Sequence, residues 1–549
     1  MSFNDSKLHP SLSADSDNFS RHWRRRSADV GGLNLATGNN DHGQGWMGHT
    51  GELETGFAEM LGDMYRQTIH AVNEQHVETV PANLSPETRS RLIRKLDRWH
   101  FEPYDLPEDE CITCTLLLFE LLFRIEGMLD VVPISMQQIS AFVHHLRRIY
   151  RLENSYHNFE HALDVLQATY SYLREAGVVP SVKILSIADR TWTSKKGFDN
   201  GSLVTTLRLE GIFILFIAAI GHDVGHPGFT NYFMKIADAP LSRVYDGRSP
   251  LEHMHYQLLL RVMHHHGLTV LFNDHTKGSY LRRLLLTSVL ATDMSVHDDV
   301  MERLQHYLNH EQSTLSSRQM LLSQVLLKCA DISNPSRPYT ISKYWATALM
   351  KEWAKQAIYE KSLAFKPTVQ ECTTPLKEAR SQVFFLEKFA RPLLQLTTRA
   401  IPEMEKFLRE CVKNKERWVT RVQELEARPC SEDDDNVPAQ GADDYINVFP
   451  LTLPHSRKIT TDDVHPTPSD ADIFSSSETS FNSTNLLMLE ERATIRAAAK
   501  LGKRQTKILN RNSWSAASPG RLLGTPPPIP SPLVHVQGSS GISISSNVP

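Results

Sequence analysis

From about Gly56 to Glu426 the apolar residues recur three or four positions apart, in stretches separated by short breakers. That spacing is the helical one. Ser85 followed by Pro86 supplies an N-cap and a proline at the first helical position, so a helix is predicted through "ETRSRLIRKLDRW". "CITCTLLLFELLFRIEG" and "SMQQISAFVHHLRRIYRL" read as two more, the latter apolar on one face. In "HNFEHALDVLQATYSYLREAG" the residues Phe159, Leu163, Leu166, Tyr170 and Leu173 form one stripe, and Gly177 stops it as a C-cap. The run "GIFILFIAAIG", Gly211 to Gly221, reads as a core helix, being about half as long as a membrane span requires. No stretch alternates with period two between hairpin signals. The expectation is a compact all-α, multi-helix domain over residues 56–428.

The flanks differ in character. Residues 1–55 are rich in Ser, Asn, Asp and Gly, and residues 429–549 carry the acidic run "SEDDDN" and the polyproline-type "TPPPIPSP"; both are predicted to be mostly disordered. Two readings stand for "NLLMLEERATIRAAAKLGKRQ" in the tail: a partner-docking helix, or an isolated solvated one. Two also stand for "RHWRRRS": a solvated charge run, or a site where a basophilic protein kinase modifies Ser27. The first residues lack the apolar stretch of a secretory leader, which predicts a cytoplasmic protein, or a nuclear one.

Composition narrows the classes. With 40% hydrophobic and 22% charged residues the chain has the make-up of a soluble globular protein. A net charge of -4 gives no electrostatic footprint for nucleic acid. Six cysteines in 549 residues are no disulfide framework. Cys111 and Cys114 make one CxxC inside an apolar helical pattern, with no second pair at zinc-ribbon spacing, so they are assigned to core packing.

The chemistry begins where the apolar run ends, in "AIGHDVGHPG". Groups so costly to bury imply something that binds them. Two further stretches belong with it, "YHNFEHALD" (Tyr156 to Asp164) and "KCADISNP" (Lys328 to Pro335). On a helix His157 and His161 would share a face, as would His222 and His226. One buried histidine usually means a satisfied core residue. An isolated histidine, an adjacent His-Asp pair and a distant Asp331 together suit Zn²⁺ or another first-row metal, and carboxylates with water suit Mg²⁺ or Mn²⁺. This H…HD…D order resembles the HD superfamily of metal phosphohydrolases.

A closer resemblance follows. "YHNxxHAxDV", "HDVxHPG", "LATDMSxH", "CADISNP" and "SQVxF" stand here in the order seen in eukaryotic class I 3′,5′-cyclic nucleotide phosphodiesterases, over about residues 95–425. Within that family the chain looks most like the fungal high-affinity cAMP phosphodiesterases. The resemblance implies a fold of about sixteen helices and hydrolysis of cAMP, with cGMP as a second candidate substrate. It implies that His161, His222, Asp223 and Asp331 hold Zn²⁺ and that Asp223 bridges to a second ion, Mg²⁺ or Mn²⁺. Such a pair acidifies a water into hydroxide and offsets phosphoryl charge. By the same resemblance His157 is the general acid. His226, Glu252, Thr292 and Asp293 would orient metal-bound waters or the acid. Gln382 would bind the purine and Phe385 stack on it, with Tyr156, Asn334 and Trp345 in the pocket. Asn334 matches an asparagine common in members that hydrolyse cAMP.

Without the resemblance, Phe385 and Trp345 read as core aromatics and Asn334 as a turn residue before Pro335. The run His264 to His266 matches no ligand position and is assigned to structure or surface. Two departures stand out. Gly225 occupies a position that is often acidic in the family, and "LEHMH", Leu251 to His255, replaces the family's "LENHH". Two other functions remain to be weighed: a related phosphohydrolase of another phosphoester, which needs no purine clamp, and a non-catalytic cyclic-nucleotide sensor, which needs no intact ligand set. No GAF, PAS or calmodulin-target segment is recognised outside the helical region.

Overall fold

A computed structural model of the chain describes residues 85–427 except 195–202, 238, 240, 243–244, 310–312, 363–364 and 370–373, together with residue 64 and residues 67–74. The readings for residues 1–55 and 429–549, including Ser27 and the tail helix, lie outside the described residues. Among the described residues, the α-helices whose bounds are defined are, in chain order, α1 (Pro86–Leu96), α2 (Glu108–Leu122), α3 (Met128–Val131), α4 (Met136–Ile149) and α5 (Phe159–Glu175). Next come α6 (Leu209–Gly221), α7 (Asn231–Ile236), α8 (Pro250–His265), α9 (Gly278–Leu290) and α10 (His297–Asn309). The last are α11 (Leu315–Asp331), α12 (Tyr339–Ser362), α13 (Pro375–Phe385), α14 (Arg391–Ala400) and α15 (Glu405–Glu426). Among the described residues there is no β-strand, only an isolated bridge between Ile125 and Trp192.

Local chemistry sets the helix starts. The Ser85 hydroxyl accepts from the Thr88 N–H at 3.2 Å, as the Ser-Pro pair predicted. Ser135 and Gln138 close a reciprocal capping box on α4. Helix α2 begins three residues ahead of "CITC", at Glu108-Asp109-Glu110, because three carboxylates suit the positive end of a helix dipole. It stops at Leu122, and Gly127, with φ 79°, opens α3 instead of closing α2.

The core forms around α6. Ile212, Phe213, Ile214, Leu215, Phe216, Ile217 and Ile220 are all buried, each contributing about 1.5–3 kcal/mol by leaving water. Helices α5, α9 and α11 pack against α6, and α5 and α9 also pack against α11. The chemistry-bearing ends of α5, α6 and α11 therefore meet. Gly221 serves a close approach there: a Cβ would lie 2.5 Å from the Leu259 Cδ1 of α8. Cys111 and Cys114 are fully buried free thiols, as expected for core packing.

The shared-face reading of the two histidine pairs is not how the chain is built. Asn158 caps α5 by accepting from the His161 N–H at 2.9 Å, so His157 lies ahead of the helix while His161 lies in its first turn. His222 is the C-cap of α6, and the chain then turns, with the His226 N–H donating to the Asp223 carbonyl at 3.0 Å and Gly225 at φ 75°. The histidines converge through these turns and not along one helical face.

Candidate active site

His161 comes from the first turn of α5, His222 and Asp223 from the end of α6, and Asp331 from the last residue of α11. His161 Nε2 lies 3.4 Å from Asp331 Oδ1 and 3.8 Å from Asp223 Oδ2. His222 Nε2 lies 3.2 Å from Asp223 Oδ2 and 3.4 Å from Asp331 Oδ1. Yet His222 Nε2 and Asp223 Oδ2, both buried, have no hydrogen-bond partner. Atoms at van der Waals range that do not point at one another point at a shared centre. For ligand bonds of about 2.0–2.2 Å, the edge of an octahedron is about 3.0 Å and that of a tetrahedron about 3.4 Å. Three of the four spacings, 3.2–3.4 Å, fall in the range for a single cation, the 3.8 Å one being wider, and His161, His222 and Asp223 form one of the groups able to hold one.

Charge agrees with geometry. Burial lowers the basicity of His222, but the Asp223 and Asp331 carboxylates overturn this and raise its pKa well above the ordinary value. Burial likewise opposes ionisation of Asp331, and its contacts with His161 and His222 win and hold it below the usual range. Around them lie two more carboxylates. Glu252 accepts from the Asn231 amide at 3.0 and 2.9 Å, and its pKa is raised by burial first and by the charge of Asp293 second. Asp293 accepts from the Ser295 N–H at 2.8 Å and from the Ser249 hydroxyl at 2.6 Å. Thr292 spends its hydroxyl on the Val289 carbonyl at 2.8 Å. Three buried acids, Asp223, Glu252 and Asp293, with the partly buried Asp331 beside them, call for positive charge at this end of the bundle.

His157 sits beside this centre. Its Nδ1 bonds the Glu352 carboxylate of α12, whose other oxygen accepts from the backbone N–H of Tyr156 at 3.0 Å and of His157 at 3.2 Å. Burial lowers the His157 pKa, but the Glu352 charge outweighs it and pushes it up to about 9. Glu352, opposed by its own burial but facing His157, falls to about 2. The His226 ring stacks on His157 at 3.9 Å, and His255 stacks on His226 at 5.6 Å. Burial first, then the His157 charge, holds the His226 pKa well below its usual value. One ring of the stack is thus a proton donor and the next is neutral.

A cleft opens beside Tyr156, lined by Asn334, Trp345, Gln382 and Phe385 among others. The Asn334 amide donates to the Tyr156 hydroxyl at 2.6 Å, while its Oδ1 and the Trp345 Nε1 remain unpartnered. Tyr156 in turn lies over His161 at 4.3 Å, which ties the cleft to the His/Asp cluster. Gln382 and Phe385 end α13, and a single π-helical turn, Leu386–Ala390, follows at once. Such turns recur at functional sites because they re-aim the side chains before them.

Four residues here escaped sequence reasoning. Glu352 follows Trp345 and Leu349 on one stripe of α12, and Gln356 continues it to bond Thr230 at 2.9 Å; that polar stripe was the available signal. The buried Lys328 donates to the carbonyls of Ala291 at 2.8 Å and Asp293 at 3.0 Å, fixing the loop that carries Thr292 and Asp293. Arg337 and Asp164 form a fully buried ion pair at 2.9 Å. Arg337 also donates to the Trp99 carbonyl at 2.9 Å and to Gln167 at 2.7 Å, and its guanidinium lies 3.8 Å from the Trp99 ring centroid.

The helical bundle and its His/Asp cluster define an HD-type fold of the phosphohydrolase class. Residues 156–411 match the family model of the 3′,5′-cyclic nucleotide phosphodiesterases. The chain is 28% identical over 340 residues to the 3′,5′-cyclic-nucleotide phosphodiesterase regA of Dictyostelium discoideum, covering 61% of this chain and 39% of that one. It is 26% identical over 327 residues to the human high affinity cGMP-specific 3′,5′-cyclic phosphodiesterase 9A, covering 59% and 49%. The match thus spans less than half the length of either relative. Among solved structures, yeast caPDE2 superposes with TM-score 0.55 at 26% identity, covering 72% of this chain and 76% of that one. Among the described residues no helix is long and apolar enough to cross a membrane.

Proposed function

We propose that the chain hydrolyses 3′,5′-cyclic AMP, in preference to cyclic GMP, to the 5′-monophosphate. The observation that carries this is the convergence of His161, His222, Asp223 and Asp331 on one point beside a Glu352-held His157. Those four residues would hold Zn²⁺, with Asp223 shared with Mg²⁺ or Mn²⁺. When bound, such ions lower the pKa of water and offset the charge on the phosphoryl oxygens.

The chain's own groups do the rest. Tyr156, Trp345 and Phe385 supply the aromatic walls for the purine, and the Gln382 amide offers a donor and an acceptor to its edge. Water adds to phosphorus, the P–O3′ bond breaks, and the leaving 3′ oxygen needs a proton. His157 supplies it: Glu352 occupies Nδ1, which leaves Nε2–H to be donated. The neutral His226 packed against it takes no charge from the pair. Glu252, Thr292 and Asp293 would order water around the ions.

The preference for adenine rests on Asn334. With its amide nitrogen committed to Tyr156, its Oδ1 is an acceptor, which suits the amino group at C6 of adenine and opposes the carbonyl oxygen of guanine. The fungal cAMP-type assignment, a catalytic domain over 56–428, a cytoplasmic or nuclear setting and phosphorylation at Ser27 belong to the same proposal. The test is a turnover assay of the full chain with cAMP and cGMP in competition, with Mg²⁺ or Mn²⁺ added. cAMP is expected to be consumed first. Equal or reversed rates overturn the preference, and no turnover of either nucleotide overturns the activity.

A further inference from the structure

A second histidine cluster lies outside the cleft and outside the chemistry described above. His265 is the last residue of α8, His266 is its C-cap, and His145 faces them from α4. The three rings are in mutual contact, at centroid distances of 5.3 Å (His145 to His265), 5.1 Å (His145 to His266) and 4.9 Å (His265 to His266). One nitrogen from each lies within 4.8 Å of the other two.

The hydrogen bonds fix which nitrogens are available. The buried His145 donates Nε2–H to the Ala71 carbonyl at 2.7 Å, so Nδ1 carries its lone pair and accepts a hydrogen bond from His266 Nε2 at 2.9 Å, a contact that a cation seated between the rings would replace. A backbone carbonyl on the far nitrogen is how metal-bound imidazoles are oriented. The Gln138 side chain holds the loop by donating to the His266 carbonyl at 3.3 Å, and the negative end of the α8 dipole favours a cation at this spot.

We propose that His145, His265 and His266 form a second metal site, open to solvent on the His265 side, for an imidazole-preferring first-row divalent ion such as Zn²⁺. Occupancy would tie α4 and the 67–74 segment to the end of α8, the helix whose first turns carry Glu252 and His255. The other element packed here sharpens this: Ala71, whose carbonyl orients His145, belongs to that segment.

The test is a zinc count on the full chain. Wild type and a His265→Gln/His266→Asn variant are dialysed against buffered Zn²⁺ and the metal per chain is measured, with circular dichroism as the check on folding. The variant is expected to hold one equivalent less. A His265→Gln variant, which removes only an exposed ring, is expected to weaken the zinc retained against a competing chelator by about tenfold or more. Equal stoichiometry in the folded double variant, or unchanged retention in the single one, overturns the site. Because the readout is the difference in zinc, a failure of the cyclic-nucleotide activity would leave this result intact.

Discussion

Arg337→Met removes the positive half of a pair that is fully buried on both sides. The Asp164 carboxylate then has no countercharge, and in that environment it protonates. At pH 7, neutralising a carboxyl of ordinary pKa about 3.9 costs about 4 kcal/mol, at 1.36 kcal/mol per pH unit. The donors to Trp99, Gln167 and the Asp164 carbonyl are lost as well. A loss of about 3–5 kcal/mol is expected, against a total stability of about 5–15 kcal/mol for a typical domain. The pH dependence carries the diagnosis. In the variant the folded Asp164 pKa lies above the unfolded one, so the folded state binds more protons and stability falls as pH rises between the two values. The penalty is therefore largest at pH 7 and shrinks by about 2–3 kcal/mol at pH 5. Adding Asp164→Asn to the variant should recover stability at pH 7 and remove the slope. Urea unfolding of wild type and both variants at the two pH values reads this directly. A loss below about 1 kcal/mol, or one equal at both pH values, would refute an ion pair that clamps α5 to the turn after Asp331.

Glu352→Gln takes away the charge that raises His157, so the alkaline limb of the pH–rate profile, governed by loss of the acid's proton, should move down from about 9 by a unit or more; an unmoved limb dissociates Glu352 from the acid. Lys328→Met leaves the carbonyls of Ala291 and Asp293 without their donor and should cost about 3 kcal/mol in chemical denaturation, with a change under 1 kcal/mol arguing that the loop is held otherwise. Gly225→Ala places a side chain at φ 75° with its Cβ 2.5 Å from Leu258 Cδ1, and should lower stability by at least about 1–2 kcal/mol; a neutral result would mean the turn between His222 and His226 relaxes freely.

That last position shows what a motif conveys and what it hides. Read in sequence, Gly225 was an acidic position left without its charge, a question of electrostatics near the ions. In the folded chain it is a left-handed turn pressed against Leu258, and the backbone conformation alone accounts for glycine there. The same turn explains why His222 and His226 are four apart without sharing a helical face.

The helices themselves were legible because their stripes and caps are local: Ser85-Pro86 and the all-apolar α6 each carry their meaning within a dozen residues. His161, His222, Asp223 and Asp331 were legible because each lies in a short motif whose order along the chain is a fingerprint. Glu352 and Arg337 lack both properties, and Asp164 and Lys328, though inside the motif stretches, have roles that their neighbours in sequence do not reveal. Each is a single charged residue in an ordinary helical or turn context, and its role appears only when a partner 35–195 positions away is packed against it. His145 is the extreme case, since nothing near it in sequence suggests a ligand until the end of α8, 121 residues on, brings His266 to its lone pair. Buried polar groups must be satisfied wherever the fold puts them, so the partners are chosen by topology; periodicity can mark the stripe that is buried but not what faces it.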